Sequence, residues 1–179
     1  MSLPFDPTKN LLLTNGSDQG IDIILRCLLE KGDEVKMAQP GFPMFQQITG
    51  TLGCNIDGPQ FSKDFRFPHQ ELKDSVNDKT RLIVVINPNN PTGSAVSLEQ
   101  IQDLLKTFPD IPVLVDEAYY EFTGETCVSL LSSYPNLIMI RTFSKALGMP
   151  GLRLGYVIAR PDFIMHLKKI RGPYDVNIV

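Results

Sequence analysis

The segment around Lys145 contains the residue types that are most suggestive of chemistry in this chain. It reads Thr142-Phe-Ser-Lys145, and Arg153 follows eight positions after the lysine. A primary amine can form an imine with a carbonyl compound, and hydroxyl groups together with a guanidinium can bind a phosphate oxyanion. The cluster therefore suits an aldehyde that carries a phosphate. The alternative is a surface lysine in a polar turn, which on the motif alone is the commoner outcome because short motifs match by chance.

The composition narrows the classes of partner. The chain has 179 residues, of which 42% are hydrophobic and 21% charged, with a net charge of −3. This is an ordinary globular composition, long enough for one domain with a real core. Charges of both signs are interspersed and no apolar run reaches membrane-spanning length, so we expect neither a nucleic-acid nor a membrane partner. The three cysteines and two histidines lack metal-ligand spacing, and the odd cysteine count suits a reducing cytoplasm.

Short aliphatic runs alternate with amphipathic stretches, a pattern typical of βα units in a mostly parallel sheet with helices on both faces. We predict strands near Leu11–Thr14, Asp33–Ala38, Cys54–Asp57, Arg81–Ile86, Val113–Asp116, Leu137–Ile140 and Leu154–Ala159. We predict helices near Asp18–Leu29, Met44–Thr51, Gln70–Val76, Leu98–Thr107, Thr126–Ser132 and Asp162–Lys169. The expected fold class is α/β, a three-layer sandwich around a mostly parallel central sheet.

The unusual polar and aromatic side chains follow the predicted strands, and open α/β sheets bind ligands at that edge. Five strand ends carry them: Ser17 and Asp18 in a helix start, Phe42, Asn90 in a loop with two prolines, Asp116 with Tyr119, and the Lys145 segment. We therefore expect these groups to line one crevice. No dinucleotide or P-loop glycine motif is present, and no histidine is placed to serve a serine or cysteine nucleophile.

Each of these groups also has a purely structural interpretation. The backbone N–H groups of Gly16-Ser-Asp18 suit a phosphate, but capping of the helix by Ser17 or Asp18 is equally compatible with the sequence. Asp116 ends an apolar strand, so it is expected to be buried and to need a partner, which is either a cap, a salt bridge or a pyridinium nitrogen. Phe42 and Tyr119, taken singly, would be packing residues.

Three motifs in a fixed order suggest a family. They are Asn87-Pro-Asn-Asn-Pro-Thr-Gly93, Val115-Asp-Glu-Ala-Tyr119, and Arg141-Thr-Phe-Ser-Lys145 continuing to Gly151-Leu-Arg153-Leu-Gly155-Tyr156. With them the chain resembles, from about Leu11 to Val179, the large domain of fold-type-I pyridoxal-phosphate enzymes, and most closely the class I/II aminotransferases. Gly16–Gly20 and the closing Arg171–Asn177 favour the histidinol-phosphate aminotransferase group. The resemblance also implies one antiparallel strand in the sheet.

The resemblance implies a role for each matching residue. Lys145 would bind the cofactor aldehyde and shuttle a proton, Asp116 would keep the pyridine nitrogen protonated, and Asn90 and Tyr119 would hydrogen-bond the phenolic oxygen. Phe42 would stack on the ring. The phosphate would be bound by the backbone N–H groups of Ser17 and Asp18 together with Thr142, Ser144 and Arg153. The family pattern usually has a tyrosine or tryptophan at position 42 and an acidic residue at position 19, where this chain has Phe42 and Gln19.

The implied function is pyridoxal-phosphate-dependent transamination by a homodimer. The substrates would be an amino acid or a phosphorylated amine such as histidinol phosphate as donor, and a keto compound as acceptor. Two alternatives stay open: a decarboxylase or lyase of the threonine-phosphate decarboxylase type, and a catalytically silent cofactor-binding fragment. Since family members are longer, we expect residues 1–179 to be one large-domain piece. Residues 161–179 would be a helix and linker leading to an absent small domain, and an N-terminal segment would also be absent.

Overall fold

A seven-stranded sheet forms the centre of the computed structural model, which describes residues 5–172. Its strands are β1 Leu11–Asn15, β2 Glu34–Met37, β3 Asn55–Asp57, β4 Thr80–Ile86, β5 Val113–Asp116, β6 Leu137–Thr142 and β7 Leu154–Ile158. Their order across the sheet is β1-β7-β6-β5-β4-β2-β3. All seven predicted strands are confirmed. Most of the Arg171–Asn177 motif and of the predicted linker lies outside the described residues.

Strand β7 is the antiparallel member of the sheet. It pairs antiparallel with both β1 and β6, whereas β6-β5, β5-β4, β4-β2 and β2-β3 pair in parallel. The expectation of a mostly parallel sheet with one antiparallel strand is therefore confirmed. Because β7 runs against its neighbours, its first residues lie at the edge where the parallel strands end, and this edge carries the functional groups described below.

Helices cover both faces of the sheet. They are α1 Pro7–Asn10, α2 Gly16–Leu28, α3 Pro43–Thr51, α4 His69–Asp74, α5 Leu98–Thr107 and α6 Pro161–Ile170, with 3-10 helices at Tyr120–Phe122, Cys127–Leu130 and Pro150–Leu152. Within residues 5–172, no helix combines the length and the apolar composition that a membrane span requires.

Alternation along the strands produces two hydrophobic cores. In β4, Leu82 and Val84 pack with the apolar residues of α2, α3 and α6, while Ile83 and Val85 pack with those of α4 and α5. This follows from the period of two in a strand, which sends successive side chains to opposite faces. A sheet buried on both sides requires apolar residues at successive positions, as in Leu82–Ile86 of β4, Val113–Val115 of β5 and Leu137–Ile140 of β6. The three-layer sandwich predicted from the sequence is confirmed.

One predicted helix is wrong. The segment Thr126–Ser132 forms only a 3-10 helix at Cys127–Leu130. Its first N–H groups are held by side chains: the Cys127 N–H donates to the Glu117 carboxylate at 2.7 Å, and the Val128 N–H donates to the Thr126 hydroxyl at 3.1 Å. The turn then closes by a bond from the Leu131 N–H to the Val128 carbonyl at 3.2 Å. The amphipathic pattern was present, but the anchor on Glu117 is a tertiary contact.

The short helix α1 was not predicted, although the sequence carries its signal. The Asp6 carboxylate accepts hydrogen bonds from the Thr8 N–H at 3.0 Å and the Thr8 hydroxyl at 2.7 Å, and Pro7 occupies the first helical turn. Aspartate before proline is a common helix start. The pattern was missed because four residues are too few for apolar periodicity to appear.

A glycine in β7 lets the start of α2 approach the sheet closely. Gly155 pairs with Thr14 on one side and Thr142 on the other. A Cβ atom at Gly155 would lie 2.5 Å from the carbonyl carbon of Gly16 and 2.6 Å from the backbone nitrogen of Ser17. These are backbone atoms, which cannot move aside by a change of rotamer. Any side chain at position 155 would therefore push the first turn of α2 away from the sheet.

We predict that Gly155→Ala lowers the free energy of unfolding by about 1–3 kcal/mol, the usual cost of overpacking. The matched control is Gly151→Ala, because no atom lies within 4 Å of a Cβ atom at that glycine. The control should stay within about 0.5 kcal/mol of the wild type. Denaturant unfolding of both variants checks the prediction, and equal stability of the two would contradict it.

Candidate active site

A cavity of about 120 Å³ lies at the carboxyl edge of the parallel strands. Its lining residues are Ser17, Asp18, Phe42, Ile86, Asn90, Asp116, Ala118, Tyr119, Thr142, Ser144, Lys145 and Arg153. The structure thus brings all ten residues selected from the sequence to one pocket. Two further residues, Ile86 and Ala118, line the pocket but were not predicted from the sequence. Their small or apolar side chains gave no chemical signal, although Ile86 ends β4 and so occupies a position where ligands are expected.

Asp116 lies at the floor of the pocket and is 4% exposed. Its carboxylate accepts a hydrogen bond from the Ala118 N–H at 3.0 Å. Burial raises the pKa of Asp116 to about 7; the Ala118 N–H and the charge of Lys145 oppose this shift, while the negative charges of Asp18 and Glu117 add to it. Among the described residues no cation forms a salt bridge with Asp116. A buried carboxylate in this position suits a cationic ligand.

Helix α2 begins at the pocket, which Ser17 and Asp18 line. Its N-cap is Asn15, which makes no side-chain capping bond, so the alternative that Ser17 or Asp18 caps the helix is wrong. Ser17 and Asp18 instead belong to the first turn, where backbone N–H groups have no acceptor within the helix. Such a helix start attracts anions, because the N–H groups point outward and the helix dipole is positive there.

Arg153 packs against this helix start. The Gly16 N–H donates to the Arg153 carbonyl at 2.7 Å, and a Cβ atom at Gly16 would lie 2.7 Å from Nη2 of Arg153. Gly16 has a φ of +72°, a left-handed conformation that glycine adopts at little cost. The guanidinium is also 3.4 Å from the Asp18 carboxylate. Arg153 is about half exposed, so it can turn toward an anion held by the first turn of α2.

The segment after β6 presents Lys145 to the pocket. The Ser144 N–H donates to the Thr142 hydroxyl at 3.2 Å, which tightens the turn just after the strand. Phe143 is anchored on the other side, where its ring meets the Tyr156 ring edge-on with centroids 5.9 Å apart. Lys145 itself is exposed, and its Nζ lies 5.4 Å from the centroid of the Tyr119 ring, within cation–π range.

Two neighbouring asparagines hold the loop that carries Asn90. The Asn87 carboxamide donates to the Val96 carbonyl at 3.0 Å and accepts from the Val96 N–H at 2.9 Å, which closes the loop. The Asn89 amide donates to the carbonyl of Pro40 at 3.1 Å, which ties this loop to the one that carries Phe42. Only Asn90 of the three faces the pocket.

Comparison with known proteins gives the family. The model for aminotransferase class I and II matches residues 1–177. The chain belongs to this family. Among curated relatives, it is 43% identical over 171 residues to the histidinol-phosphate aminotransferase of Dehalococcoides mccartyi strain 195, a match that covers 95% of this chain and 47% of that protein. The chain therefore spans about half the length of the curated relatives it matches.

Solved structures agree on the fold. The histidinol-phosphate aminotransferase of Sinorhizobium meliloti, crystallised with pyridoxal-5'-phosphate, is 28% identical, with a TM-score of 0.89 over 98% of this chain and 48% of that one. The L-threonine-O-3-phosphate decarboxylase of Porphyromonas gingivalis is 26% identical, with a TM-score of 0.80 over 94% of this chain and 52% of that one. The resemblance to class I/II aminotransferases drawn from the three motifs is confirmed.

The residues of the pocket fit the cofactor that the sequence predicted, pyridoxal phosphate, and this prediction is confirmed at the level of the family. The fit rests on three features of the pocket. Asp116 is a desolvated carboxylate suited to a cationic ring nitrogen, Lys145 supplies a primary amine, and the start of α2 with Arg153 forms a site for an anion. Phe42 and Ile86 add apolar surface for a planar ring.

The raised pKa of Asp116 predicts a pH dependence of stability for the chain without cofactor. The folded state keeps this proton up to about pH 7, whereas the unfolded state loses it near the ordinary value of 3.8. The folded state thus binds the extra proton between these values, so stability falls as the pH rises through this window. Replacing Asp116 by asparagine removes the effect, and from pH 4 to pH 8 the variant should gain about 4 kcal/mol relative to the wild type.

Denaturant unfolding at a series of pH values measures this difference. The control is Asp162→Asn, which changes an exposed aspartate in the first turn of α6, away from the pocket. The control leaves the buried carboxyl in place, so it should not show the gain of about 4 kcal/mol between pH 4 and pH 8. Absence of that gain in Asp116→Asn would show that this carboxyl is not desolvated in the folded chain.

Proposed function

We propose that this chain is the cofactor-binding part of a pyridoxal-phosphate-dependent aminotransferase that acts on histidinol phosphate. The observation that carries the proposal is the pocket itself, in which an amine, a desolvated carboxylate, a carboxamide and an anion site face one cavity. Curated relatives of the chain are named histidinol-phosphate aminotransferases, and one of them shares 43% of its aligned residues with this chain. These names favour transamination over the decarboxylase alternative.

Pyridoxal phosphate, when bound, supplies an aldehyde that captures amines and a ring that accepts the electrons left when a proton leaves the substrate's α-carbon. Lys145 is the amine in the pocket and would bind the aldehyde carbon. With the substrate's amine in place of the lysine, the Nζ of Lys145 would be free to carry a proton from the substrate's α-carbon. The ring of Tyr119 lies 5.4 Å from this Nζ, and Tyr119 and Asn90 would donate to the phenolic oxygen of the cofactor.

Asp116 controls the charge of the ring. Its carboxylate is costly to ionise in the empty pocket, because burial raises its pKa to about 7. A protonated ring nitrogen beside it would offset this cost, since an opposite charge lowers the pKa of a carboxyl. The carboxylate and the ring cation therefore stabilise each other, and Asp116 keeps the ring in the form that accepts electrons.

The start of α2 would hold the cofactor's phosphate. The backbone N–H groups of Ser17 and Asp18 would donate to it, and Arg153 would supply the compensating charge. The hydroxyls of Thr142 and Ser144 would complete the anion site. Phe42 would cover one face of the ring by stacking, but it lacks the hydroxyl of a tyrosine, so it would make no hydrogen bond to the cofactor.

We also propose that the protein works as a homodimer in the cytoplasm. Phe122, Leu147 and Met149 are exposed apolar residues close in sequence to Tyr119 and Lys145, which favours a surface covered by a partner. All three cysteines are unpaired, which suits a reducing compartment. Within the whole protein, residues 1–179 would form the large domain, and the substrate's carboxylate or phosphate would be held by parts outside it. Sedimentation of the full-length protein is the direct measurement of its assembly.

Lys145→Ala tests the role of the lysine. Addition of pyridoxal phosphate to the wild-type chain should produce a visible absorption band, and borohydride should attach the cofactor to the peptide that contains Lys145. The variant should give neither result, because no other amine lines the pocket among the described residues. Lys106→Ala, which changes a lysine in the last turn of α5, is the matched control and should behave as the wild type. Labelling of any other lysine, or a band in Lys145→Ala, counts against the assignment.

The reaction itself is tested on the full-length protein loaded with cofactor. Histidinol phosphate should convert the aldehyde form of the cofactor to the amine form, and a keto acid should restore it, with no release of carbon dioxide from any amino acid. Carbon dioxide release from threonine phosphate without amino transfer would favour the decarboxylase. Cofactor binding with no conversion of any amino donor would favour a catalytically silent domain.

A further inference from the structure

A buried ion pair lies on the face of the sheet opposite to the pocket, at the same strand ends. Glu117 is 0% exposed and Arg141 is 9% exposed. Glu117 directly follows Asp116, and Arg141 directly precedes Thr142. Because successive side chains of an extended strand point to opposite faces, each member of the pair points away from its neighbour in the pocket. Neither residue lines the cavity, so the proposed function leaves this pair unexplained.

The pair is held by more contacts than a simple salt bridge requires. The Glu117 carboxylate accepts from Nε of Arg141 at 2.9 Å and lies 2.8 Å from its Nη2. It also accepts from the Thr126 hydroxyl at 2.9 Å and the Cys127 N–H at 2.7 Å. On the other side of Arg141, the ring of Tyr120 lies 3.9 Å from the guanidinium carbon. The pair therefore joins β5, β6 and the segment between them.

The charge of Glu117 affects the ionisation of Asp116 in the pocket. Burial by itself lowers the pKa of Arg141, but the charge of Glu117 and the Tyr156 side chain outweigh it, so the pKa of Arg141 is raised. The guanidinium thus stays charged and neutralises Glu117. The charged groups that act on Asp116 are Asp18, Glu117 and Lys145. A Glu117 without its arginine would be an uncompensated negative charge beside Asp116.

We propose that Glu117 and Arg141 are positioning residues that fix the separation between the Asp116 carboxylate and the Lys145 amine. The last ladder bond between β5 and β6 runs from the Glu117 N–H to the Ile140 carbonyl at 2.9 Å. The ion pair closes the two strands just beyond this bond. Without it the strand ends can separate, and Asp116 and the Lys145 segment lie on different strand ends. The inference rests on the proposed function, because the positions matter only to a cofactor that reaches both groups.

Two variants weaken the pair while preserving most of its shape. Glu117→Gln removes the negative charge of the pair. Arg141→Lys keeps the positive charge, but a single ammonium group replaces the two guanidinium nitrogens that contact Glu117. Hydrogen exchange of the residue-117 amide, measured by NMR on the chain without cofactor, should become about tenfold faster or more as the strand ends open. This readout needs no cofactor and reports directly on whether the ion pair holds the ends of β5 and β6 together.

The second readout is the pH midpoint of the visible absorption band after loading with pyridoxal phosphate. A displaced Asp116 no longer keeps the ring nitrogen protonated, and the lost positive charge makes the lysine-bound nitrogen more basic. The midpoint should therefore rise by about half a pH unit or more in both variants. A loss of stability alone would leave this midpoint unchanged in protein that is still folded.

Lys36→Met is the matched control. Lys36 is 3% exposed and donates to Glu34 at 2.8 Å and Asp57 at 2.7 Å, so it is another buried cation held by carboxylates, on β2, two strands away from β5. The control should lose stability but keep the wild-type midpoint and the wild-type exchange at residue 117. If it shifts both readouts as far as the test variants do, the effect is general loosening and the inference is overturned.

The remaining outcomes also decide the question. Wild-type values of both readouts in the folded test variants would overturn the inference. If neither single variant folds, the double variant Glu117→Leu/Arg141→Met replaces the ions by apolar side chains, a change that buried pairs often tolerate, and is measured in the same way. If the wild-type chain forms no visible band, the proposed function fails for this chain. Hydrogen exchange at residue 117 alone then decides whether Glu117 and Arg141 hold the strand ends together.

Discussion

The antiparallel placement of β7 between β1 and β6 is the constraint on which the geometry of the pocket depends. Parallel strands bring only their carboxyl ends to the ligand edge, but β7 enters the sheet from that edge, so Arg153 lies there as well. The register aligns Gly155 with Thr14 and Thr142, which places the start of α2 beside the segment that follows β6. The anion site is therefore assembled at the ends of β1, β6 and β7, and β1 is distant in sequence from the other two strands.

At the same strand ends, the two faces of the sheet place a carboxylate in different surroundings. On the pocket face, Asp116 is buried, and within residues 5–172 its carboxylate has one backbone donor and no salt-bridge partner, so its ionisation is costly. On the opposite face, the Glu117 carboxylate is surrounded by donors from Arg141, Thr126 and Cys127. Among the described residues, several groups therefore donate to Glu117, whereas one backbone N–H donates to Asp116. Such a contrast is typical of a structural acid beside a candidate functional acid.

An unsatisfied acid in a pocket is a compromise between stability and function. The energy that Asp116 costs the folded chain at neutral pH is available to a ligand that brings the missing positive charge. The surrounding structure tolerates this cost because the other segments at this edge of the sheet are held by hydrogen bonds and close packing. Asn87 closes the loop of Asn90 on Val96, and Gly155 lets α2 pack directly on β7. Functional strain is thus confined to a few side chains at the pocket.

The sequence by itself determined the fold class, the seven strands and the ten pocket residues. Alternation of aliphatic runs with amphipathic stretches reports burial on both faces of a sheet, and the motif residues stand where the strands end. It also determined the family, since three motifs in one order are specific, as the match over residues 1–177 confirms. Local signals failed where helices were short, as in α1, or where an amphipathic stretch was anchored from a distance, as at Thr126–Ser132.

Only the tertiary structure decided which polar residues share an environment. The choice between capping by Ser17 or Asp18 and an open helix start depended on Asn15 and on the approach of Arg153 across the sheet. The raised pKa of Asp116 and the pairing of Glu117 with Arg141 depend on the sum of surrounding atoms, most of them remote in sequence. Burial and hydrogen bonding between distant segments set these properties, and neither can be inferred from the order of residue types along the sequence.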